Sequence, residues 1–184
     1  GWGQLAMQAA YRGAKVHTIT LSKEQKELAE ARIAKAGLSN LITVELRDYR
    51  DLEGQYDAVV SVEMIEAVGE KYWPTYFDAI SKHLKSGGRF GLQAITMPHD
   101  RLLASKHAYT WIHKYIFPGG IIPSREVIDQ YTKDEMKLSD SLSIRMGYAE
   151  TLRLWREKFM ENQAKVIALG FDEEFLRMWQ YYLA

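Results

Sequence analysis

Two carboxylates stand three residues apart at the end of a short apolar run. Residues 58–61 are small or β-branched, and Glu63 and Glu66 follow them closely. Such a run is typical of a parallel strand covered on both faces. Carboxylates at the carboxyl end of this strand would lie where open α/β sheets bind ligands, which suits acid–base chemistry. The alternative is that both are solvated acids at the start of the next helix, favoured there by the helix dipole.

A second group of polar residues follows the strand predicted at residues 15–19. Thr20, Ser22 and Gln25 can hydrogen-bond the hydroxyl groups of a ribose, at the place where dinucleotide-binding folds carry an acidic residue. Ser22 and Gln25 also have the spacing of a capping box. A helix start therefore explains them as well as a ribose site does.

Two further sites of possible ligand contact flank this group. Gly1 and Gly3 stand before a helix, where glycine lets the backbone and the helix N–H groups approach a polar ligand. Asp48 and Tyr49 end the strand predicted at residues 41–46, and they could hydrogen-bond and stack on an adenine. A turn at the strand end explains Asp48 and Tyr49 almost as well.

The elements that position these residues alternate between helix and strand. We predict helices at residues 4–12 and from Ser22 to Gly37. A third helix is predicted to end at residues 86–88, and the helical spacing that indicates it is that of Trp73, Tyr76, Phe77, Ile80 and Leu84. Strands are predicted at residues 15–19, 41–46, 58–61 and 90–95. Such alternation predicts right-handed crossovers and a mostly parallel sheet with helices on both faces. The fold class is therefore α/β and Rossmann-like.

The second half of the chain has a different pattern. Residues 98–135 are rich in aromatic side chains and are predicted to form a lid or a pocket wall inserted into a single domain of residues 1–184. Residues 136–144 are predicted as a strand. Two helical faces follow, separated by Gly170, and their members are Tyr148, Leu152, Trp155 and Phe159, then Phe171, Phe175, Met178 and Tyr182.

Composition narrows the classes of function. The 24 basic and 24 acidic residues balance, so no net field favours nucleic acid or an anionic membrane. No apolar run approaches the length of a membrane span. The chain has no cysteine, which excludes disulfides and cysteine metal sites within it and fits a cytoplasmic protein. No residue is assigned to a metal.

Taken together, the motifs resemble the cyclopropane-fatty-acyl-phospholipid synthase family, which includes the mycolic acid cyclopropane synthases. The similarity runs over nearly the whole chain. The segments that carry it are Gly1-Trp2-Gly3, Thr20-Leu21-Ser22, Asp48-Tyr49-Arg50, residues 61–69, residues 114–120 with Pro123-Ser124, and Gly147-Tyr148 with Thr151-Leu152 and Trp155. Of these, residues 61–69 and 114–120 are far more specific than a pair of glycines.

The resemblance implies methyl transfer from S-adenosylmethionine to the double bond of an unsaturated fatty-acyl chain, which gives a cyclopropane or a methyl-branched lipid. In the family, a bicarbonate ion held by a Glu, a His and a Tyr accepts the proton that the reaction releases. Glu66 matches the Glu and Tyr148 matches the Tyr, while Ile95 matches a backbone contact. Gln93 stands at the His position, and an amide carries no charge and accepts no proton, so the use of bicarbonate is in doubt.

The resemblance also assigns the S-adenosylmethionine site. It places Gly1, Trp2 and Gly3 at the methionine end, residues 20–25 at the ribose and residues 48–50 at the adenine. The complete set of expected cofactor contacts is Gly1, Trp2, Gly3, Thr20, Leu21, Ser22, Gln25, Asp48, Tyr49, Arg50 and Val62.

The family pattern extends beyond both ends of this chain. Its first strand is expected before Gly1, between the strands at 15–19 and 58–61, and its closing strand after Ala184. We therefore expect a fragment in which those two strands pair directly, gain a strand or leave a gap, and in which the isolated chain can be inactive or oligomeric. The expected partner is an unsaturated lipid at a membrane surface. Two alternatives are a methyltransferase for another small molecule and a non-catalytic remnant.

Overall fold

The structure, a computed structural model, describes residues 1–132 and 136–184 and divides into two compact units, residues 1–137 and 138–184. The first unit alternates helix and strand. Its elements are α1 (Gln4–Ala10), β1 (Val16–Thr20), α2 (Lys23–Lys35), β2 (Ile42–Leu46), β3 (Tyr56–Val62), α3 (Ile65–Val68), α4 (Trp73–His83), β4 (Leu84–Gln93), α5 (His99–Ser105), α6 (Trp111–Tyr115) and α7 (Arg125–Thr132). The α/β class and the order of these elements are confirmed.

The strands form two parallel pairs. β1 pairs with β2, with Thr20 opposite Leu46, and β3 pairs with β4, with Val62 opposite Gln93. Among the described residues β1 and β3 do not pair with each other, so of the three outcomes expected for these strands the structure shows the gap.

The prediction that β3 is covered on both faces is wrong. Ala58, Val60 and Val62 are exposed, and only Ser61 is buried. The exposed residues alternate along β3 and therefore share one face, whereas Ser61 on the opposite face packs against Tyr76 of α4.

Two apolar clusters support the strands. The first lies between α1, α2 and β2, and its buried members are Ala6, Ala10, Ala29, Ile33, Leu38, Ile42 and Val44. The second centres on α4, and its buried members are Ile65, Trp73, Tyr76, Phe77, Ile80, Leu102 and Val127. Spacing of three and four residues along α2 and α4 puts these side chains on one face of each helix.

The predicted end of α4 at residues 86–88 is wrong. The helix ends at His83, and Leu84 is already extended with φ −83° and ψ 132°. Leu84 pairs with Tyr56, and the register then shifts so that Ala58 pairs with Arg89. The intervening residues form a bulge in β4. Glycine is required at position 88 of this bulge, because a Cβ there would come 2.8 Å from the Lys85 carbonyl oxygen.

The predicted lid, residues 98–135, contains α5, α6 and α7, and its last three residues, 133–135, lie outside the described residues. Residues of α5 and α7 line a cavity of about 290 Å³ together with Trp73 of α4. Trp73 is buried in the core, whereas Tyr115 and Phe117 are exposed. The roles of this region as a lid, and of residues 1–184 as one domain, stay predictions.

The second unit is helical. It contains α8 (Arg145–Glu161), α9 (Gln163–Ala168) and α10 (Glu173–Tyr182). The rings of Phe171, Phe175 and Trp179 stack in sequence, and the Tyr182 ring lies tilted against Trp179. The strand predicted at residues 136–144 is wrong, because this segment has no regular secondary structure. Leu138 and Leu142 are exposed, so these two side chains lack the packing that a strand of a covered sheet would give them.

Candidate active site

The predicted site residues of the first unit collect at the carboxyl ends of the strands. Thr20 ends β1, Asp48 and Tyr49 follow β2, Val62 ends β3 and Gln93 ends β4. Ends of parallel strands meet at one edge, which is where such sheets bind ligands.

At this edge, Tyr76 of α4 contacts both Ser61 in β3 and Tyr49, which follows β2. The Tyr76 hydroxyl donates to Ser61 Oγ of β3 at 2.6 Å, and the Tyr76 ring lies edge-on to Tyr49 with centroids 6.0 Å apart. Burial raises the pKa of Tyr76 to about 12, so its hydroxyl stays protonated. Sequence reasoning missed this pair, although a serine inside an otherwise apolar strand was the available signal.

Glu63 has a strained backbone that turns the chain out of β3. Its φ of 47° is in the left-handed region, and among the described non-glycine residues only Glu63 has a positive φ. Its N–H donates to the Gln93 carbonyl at 2.9 Å, and the Gln93 amide Nε2 donates to Glu63 Oε1 at 3.1 Å. The structure therefore brings Gln93 next to Glu63, a contact that the sequence did not predict.

Glu66 lies in α3 and is held by two other segments. Its Oε1 accepts a hydrogen bond from the Ile95 N–H at 2.6 Å, and its backbone carbonyl accepts from the Ile121 N–H at 2.8 Å. Its other oxygen, Oε2, is buried and has no hydrogen-bond partner in the described parts of the chain. One carboxylate oxygen is thus fixed and the other is left as an acceptor.

The surroundings of the Glu66 carboxyl shift its pKa upward. Burial raises the pKa of the Glu66 carboxyl, and repulsion from Glu63 raises it further, against the lowering effect of backbone hydrogen bonds that include the one from Ile95. A base whose pKa is raised toward neutrality accepts a proton more readily. The local alternative, a pair of solvated acids, does not describe Glu66.

The polar residues on the cofactor side bond to one another. Ser22 Oγ accepts from the Gln25 N–H at 3.1 Å, as the capping pattern predicted, and Thr20 Oγ1 donates to Gln25 Oε1 at 2.6 Å. Asp48 accepts from both the backbone N–H and the guanidinium of Arg50, which lowers the Asp48 pKa. The cap and the turn are therefore confirmed, while ribose and adenine contacts stay predictions.

Gly3 is required where α1 meets α2. Its φ is +85°, and a side chain there would place Cβ 3.0 Å from the Cβ of Ala29. Around this turn and the neighbouring strand ends, Trp2, Leu21 and Val62 expose about half or more of their surface. Gly1 is exposed as well. The structure thus supplies a tight turn and an apolar surface at the edge where a cofactor was predicted.

Tyr148 lies in the first turn of α8, in the second unit. Its side chain is half-buried. Its predicted role beside Glu66 stays a prediction.

Solved structures define the class of this fold. The chain superposes on mycolic acid cyclopropane synthase CmaA1, in complex with SAH and CTAB, with a TM-score of 0.88 at 25% identity, covering 100% of this chain and 68% of that one. For the cyclopropane synthase MmaA2 from Mycobacterium tuberculosis the TM-score is 0.87, with the same identity and coverage. The fold is that of the Rossmann-like methyltransferases.

Sequence comparison narrows the class to a family. The family model for mycolic acid cyclopropane synthetase matches residues 1–184, and the chain belongs to that family. It is 53% identical to tuberculostearic acid methyltransferase UfaA1 of Mycobacterium tuberculosis, covering 100% of this chain and 44% of the relative. It is 38% identical to cyclopropane-fatty-acyl-phospholipid synthase of Escherichia coli K12, covering 100% and 46%. The chain thus spans about half the length of these relatives.

Proposed function

We propose that this chain forms the core of an enzyme that transfers a one-carbon unit from S-adenosylmethionine to the double bond of an unsaturated fatty-acyl chain. The product would be a cyclopropane or methyl-branched lipid. The observation that carries the proposal is Glu66, a half-buried carboxylate with one free oxygen, in a chain whose relatives include enzymes named for acyl-chain methylation and cyclopropanation. The reaction releases a proton, and the free oxygen of Glu66 supports this residue as the group that accepts it.

The residues at the strand ends fit S-adenosylmethionine. The glycine turn admits backbone close to a ligand, and Trp2, Leu21 and Val62 offer apolar surface to the adenosine. Thr20, Gln25 and the other residues assigned to the ribose and adenine lie at the same edge. When bound, the cofactor would supply an electrophilic methyl group on a sulfonium.

The first unit's residues would position and deprotonate rather than attack. The double bond is the nucleophile, so the protein must exclude water, fix the acyl chain and accept a proton. Glu66 would lie at the proton and Gln93 would orient Glu63 beside it, and the catalytic role assigned to Tyr148 is part of the same proposal. The proposal includes a lipid substrate that comes from a membrane, and an enzyme that is cytoplasmic, associates with the membrane surface and can form homo-oligomers.

No helix in the described residues is long and apolar enough to span a bilayer.

The test is a lipid assay. The protein is expressed together with any sequence that its gene encodes on either side of the 184 residues. It is incubated with S-adenosylmethionine and vesicles of unsaturated phospholipid, and the masses of the acyl chains are measured by mass spectrometry. We expect a gain of one methylene on unsaturated chains and none on saturated ones. Cofactor binding without a lipid product would favour a methyltransferase for another small molecule, and neither binding nor product would favour a non-catalytic chain.

A further inference from the structure

The surroundings of Glu66 in the first unit are poorly suited to an anion. Two carboxylates, Glu63 and Glu66, stand there, and in the described residues neither forms an ion pair with a lysine, arginine or histidine. Glu63 already acts on Glu66 by repulsion. A bound bicarbonate would add a third negative charge without a protein cation to offset it.

The donors that an anion would need are engaged by these same carboxylates. The Ile95 N–H, the backbone group that the family resemblance assigns to bicarbonate, donates to Glu66 Oε1 at 2.6 Å. The Gln93 amide, which stands at the family's histidine position, donates to Glu63 Oε1 at 3.1 Å. An amide also contributes no positive charge. In the first unit, the groups expected to hold bicarbonate therefore hold glutamate.

Glu66 already has what a bound base would provide. Oε1 is fixed by Ile95, and Oε2 is buried without a partner among the described residues, so the carboxylate is oriented and one acceptor is free. Partial desolvation raises the Glu66 pKa, which strengthens it as a base.

We propose that the Glu66 carboxylate itself accepts the reaction's proton, through Oε2, and that this protein does not use bicarbonate. This inference rests on the function proposed above. The alkene carbon forms a bond to the methyl carbon as the bond from that carbon to sulfur breaks, leaving S-adenosylhomocysteine and a carbocation. A C–H bond of the new methyl then breaks, its electron pair closes the ring, and Oε2 takes the proton, which Glu66 later releases to water.

The decisive experiment varies bicarbonate. Lipid product and S-adenosylhomocysteine are measured for the protein in buffer stripped of carbon dioxide and in the same buffer with bicarbonate added back. We expect turnover to change by less than about twofold, since the base is part of the protein. A saturable rise in turnover with bicarbonate would overturn the role of Glu66. No lipid product in either buffer would refute the proposed function, and this role of Glu66 with it.

A second arm uses Glu66→Gln, which keeps the size and the acceptor for Ile95 but removes the base. Turnover should fall by about 100-fold or more, the scale of general-base catalysis, and bicarbonate should not restore it. Restoration by bicarbonate would show that the ion, not Glu66, takes the proton. Binding of S-adenosylmethionine by the Glu66→Gln variant would show that the variant is folded. If the variant does not bind the cofactor, the effect of bicarbonate on turnover of the unaltered protein is the test of the proposal.

Discussion

At the residue scale, Glu66 differs from Glu63 in what its oxygens contact. Glu66 is half-buried with one fixed and one free oxygen, whereas Glu63 is exposed and accepts from Gln93. The sequence pattern predicts both acids at the end of a strand, but it contains no signal for the φ of 47° at Glu63. This backbone conformation directs the side chains of Glu63 and Glu66 to different surroundings. Their separate roles depend on that turn.

This difference predicts unequal effects of removing each charge. Glu66→Gln should lower turnover by about 100-fold or more, while Glu63→Gln, which keeps an acceptor for Gln93, should lower it by less than about tenfold. Steady-state turnover on unsaturated phospholipid, with cofactor affinity measured in parallel, gives the comparison. Losses of similar size in the two variants would contradict the assignment of Glu66 as the base.

The raised pKa of Glu66 predicts the acid side of the pH profile. A general base works only when deprotonated, so activity should be lost as pH falls through the Glu66 pKa, which burial places above the ordinary range of a glutamate. The measurement is turnover against pH at saturating substrate. The residual activity of Glu66→Gln should lack this step; the same step in both proteins would assign it to another group.

At the element scale, the turn into α1 depends on a residue without a side chain. Gly3→Ala adds a Cβ 3.0 Å from the Ala29 Cβ at a positive φ. We expect it to cost more than about 1 kcal/mol of unfolding free energy and to weaken binding of S-adenosylmethionine. Denaturant unfolding and calorimetric titration measure the two effects.

Gly13→Ala is the matched control for this turn. Gly13 also has a positive φ, of +90°, but a Cβ there meets no atom within 4 Å. The Gly13→Ala variant should lose about 1 kcal/mol of unfolding free energy, because a side chain at a positive φ strains the backbone, and it should bind the cofactor as tightly as the unaltered protein. Equal affinities for the Gly3 and Gly13 variants would show that the turn before α1 does not contribute to the cofactor site.

The contact between α4 and β3 should contribute measurably to stability. Tyr76→Phe leaves Ser61 Oγ buried without its donor, which should cost about 1–3 kcal/mol of unfolding free energy. Adding Ser61→Ala should recover part of the loss, because both polar partners are then gone. Tyr131→Phe, in a ring that stacks on Phe77, should change stability little. Denaturant midpoints test the set, and an unchanged Tyr76 variant would contradict the importance of the hydrogen bond.

Prediction of elements from sequence succeeded where the pattern was local. The cap at Ser22, the helical spacing in α4 and the positions of β1, β2 and β3 follow from side-chain periodicity and turn chemistry. The start of β4 was missed because Leu84 continues the apolar spacing of α4 while its backbone is extended. The bulge and the start of β4 depend on how this segment pairs with β3, and the periodicity of a single segment carries no information about that pairing.

At the scale of the whole molecule, burial depends on neighbours that composition cannot supply. The residues of β3 have the composition of a central strand, yet Val60 and Val62 share a face that is exposed, and in the described residues β3 pairs only with β4. A side-chain contact between His17 Nδ1 and the Tyr56 hydroxyl, at 2.6 Å, links the two strand pairs. The site edge is therefore present in the first unit, with the strands in two separate pairs.

The reaction proposed for this protein places a one-carbon unit from S-adenosylmethionine on an unsaturated acyl chain. The most direct measurement supplies the cofactor with a deuterated methyl group and locates the label in the lipid by fragmentation mass spectrometry. We expect label in the acyl chain at the carbons of the former double bond, and none with the saturated lipid. Unlabelled acyl chains, label confined to the head group, or equal labelling of saturated lipid would contradict it.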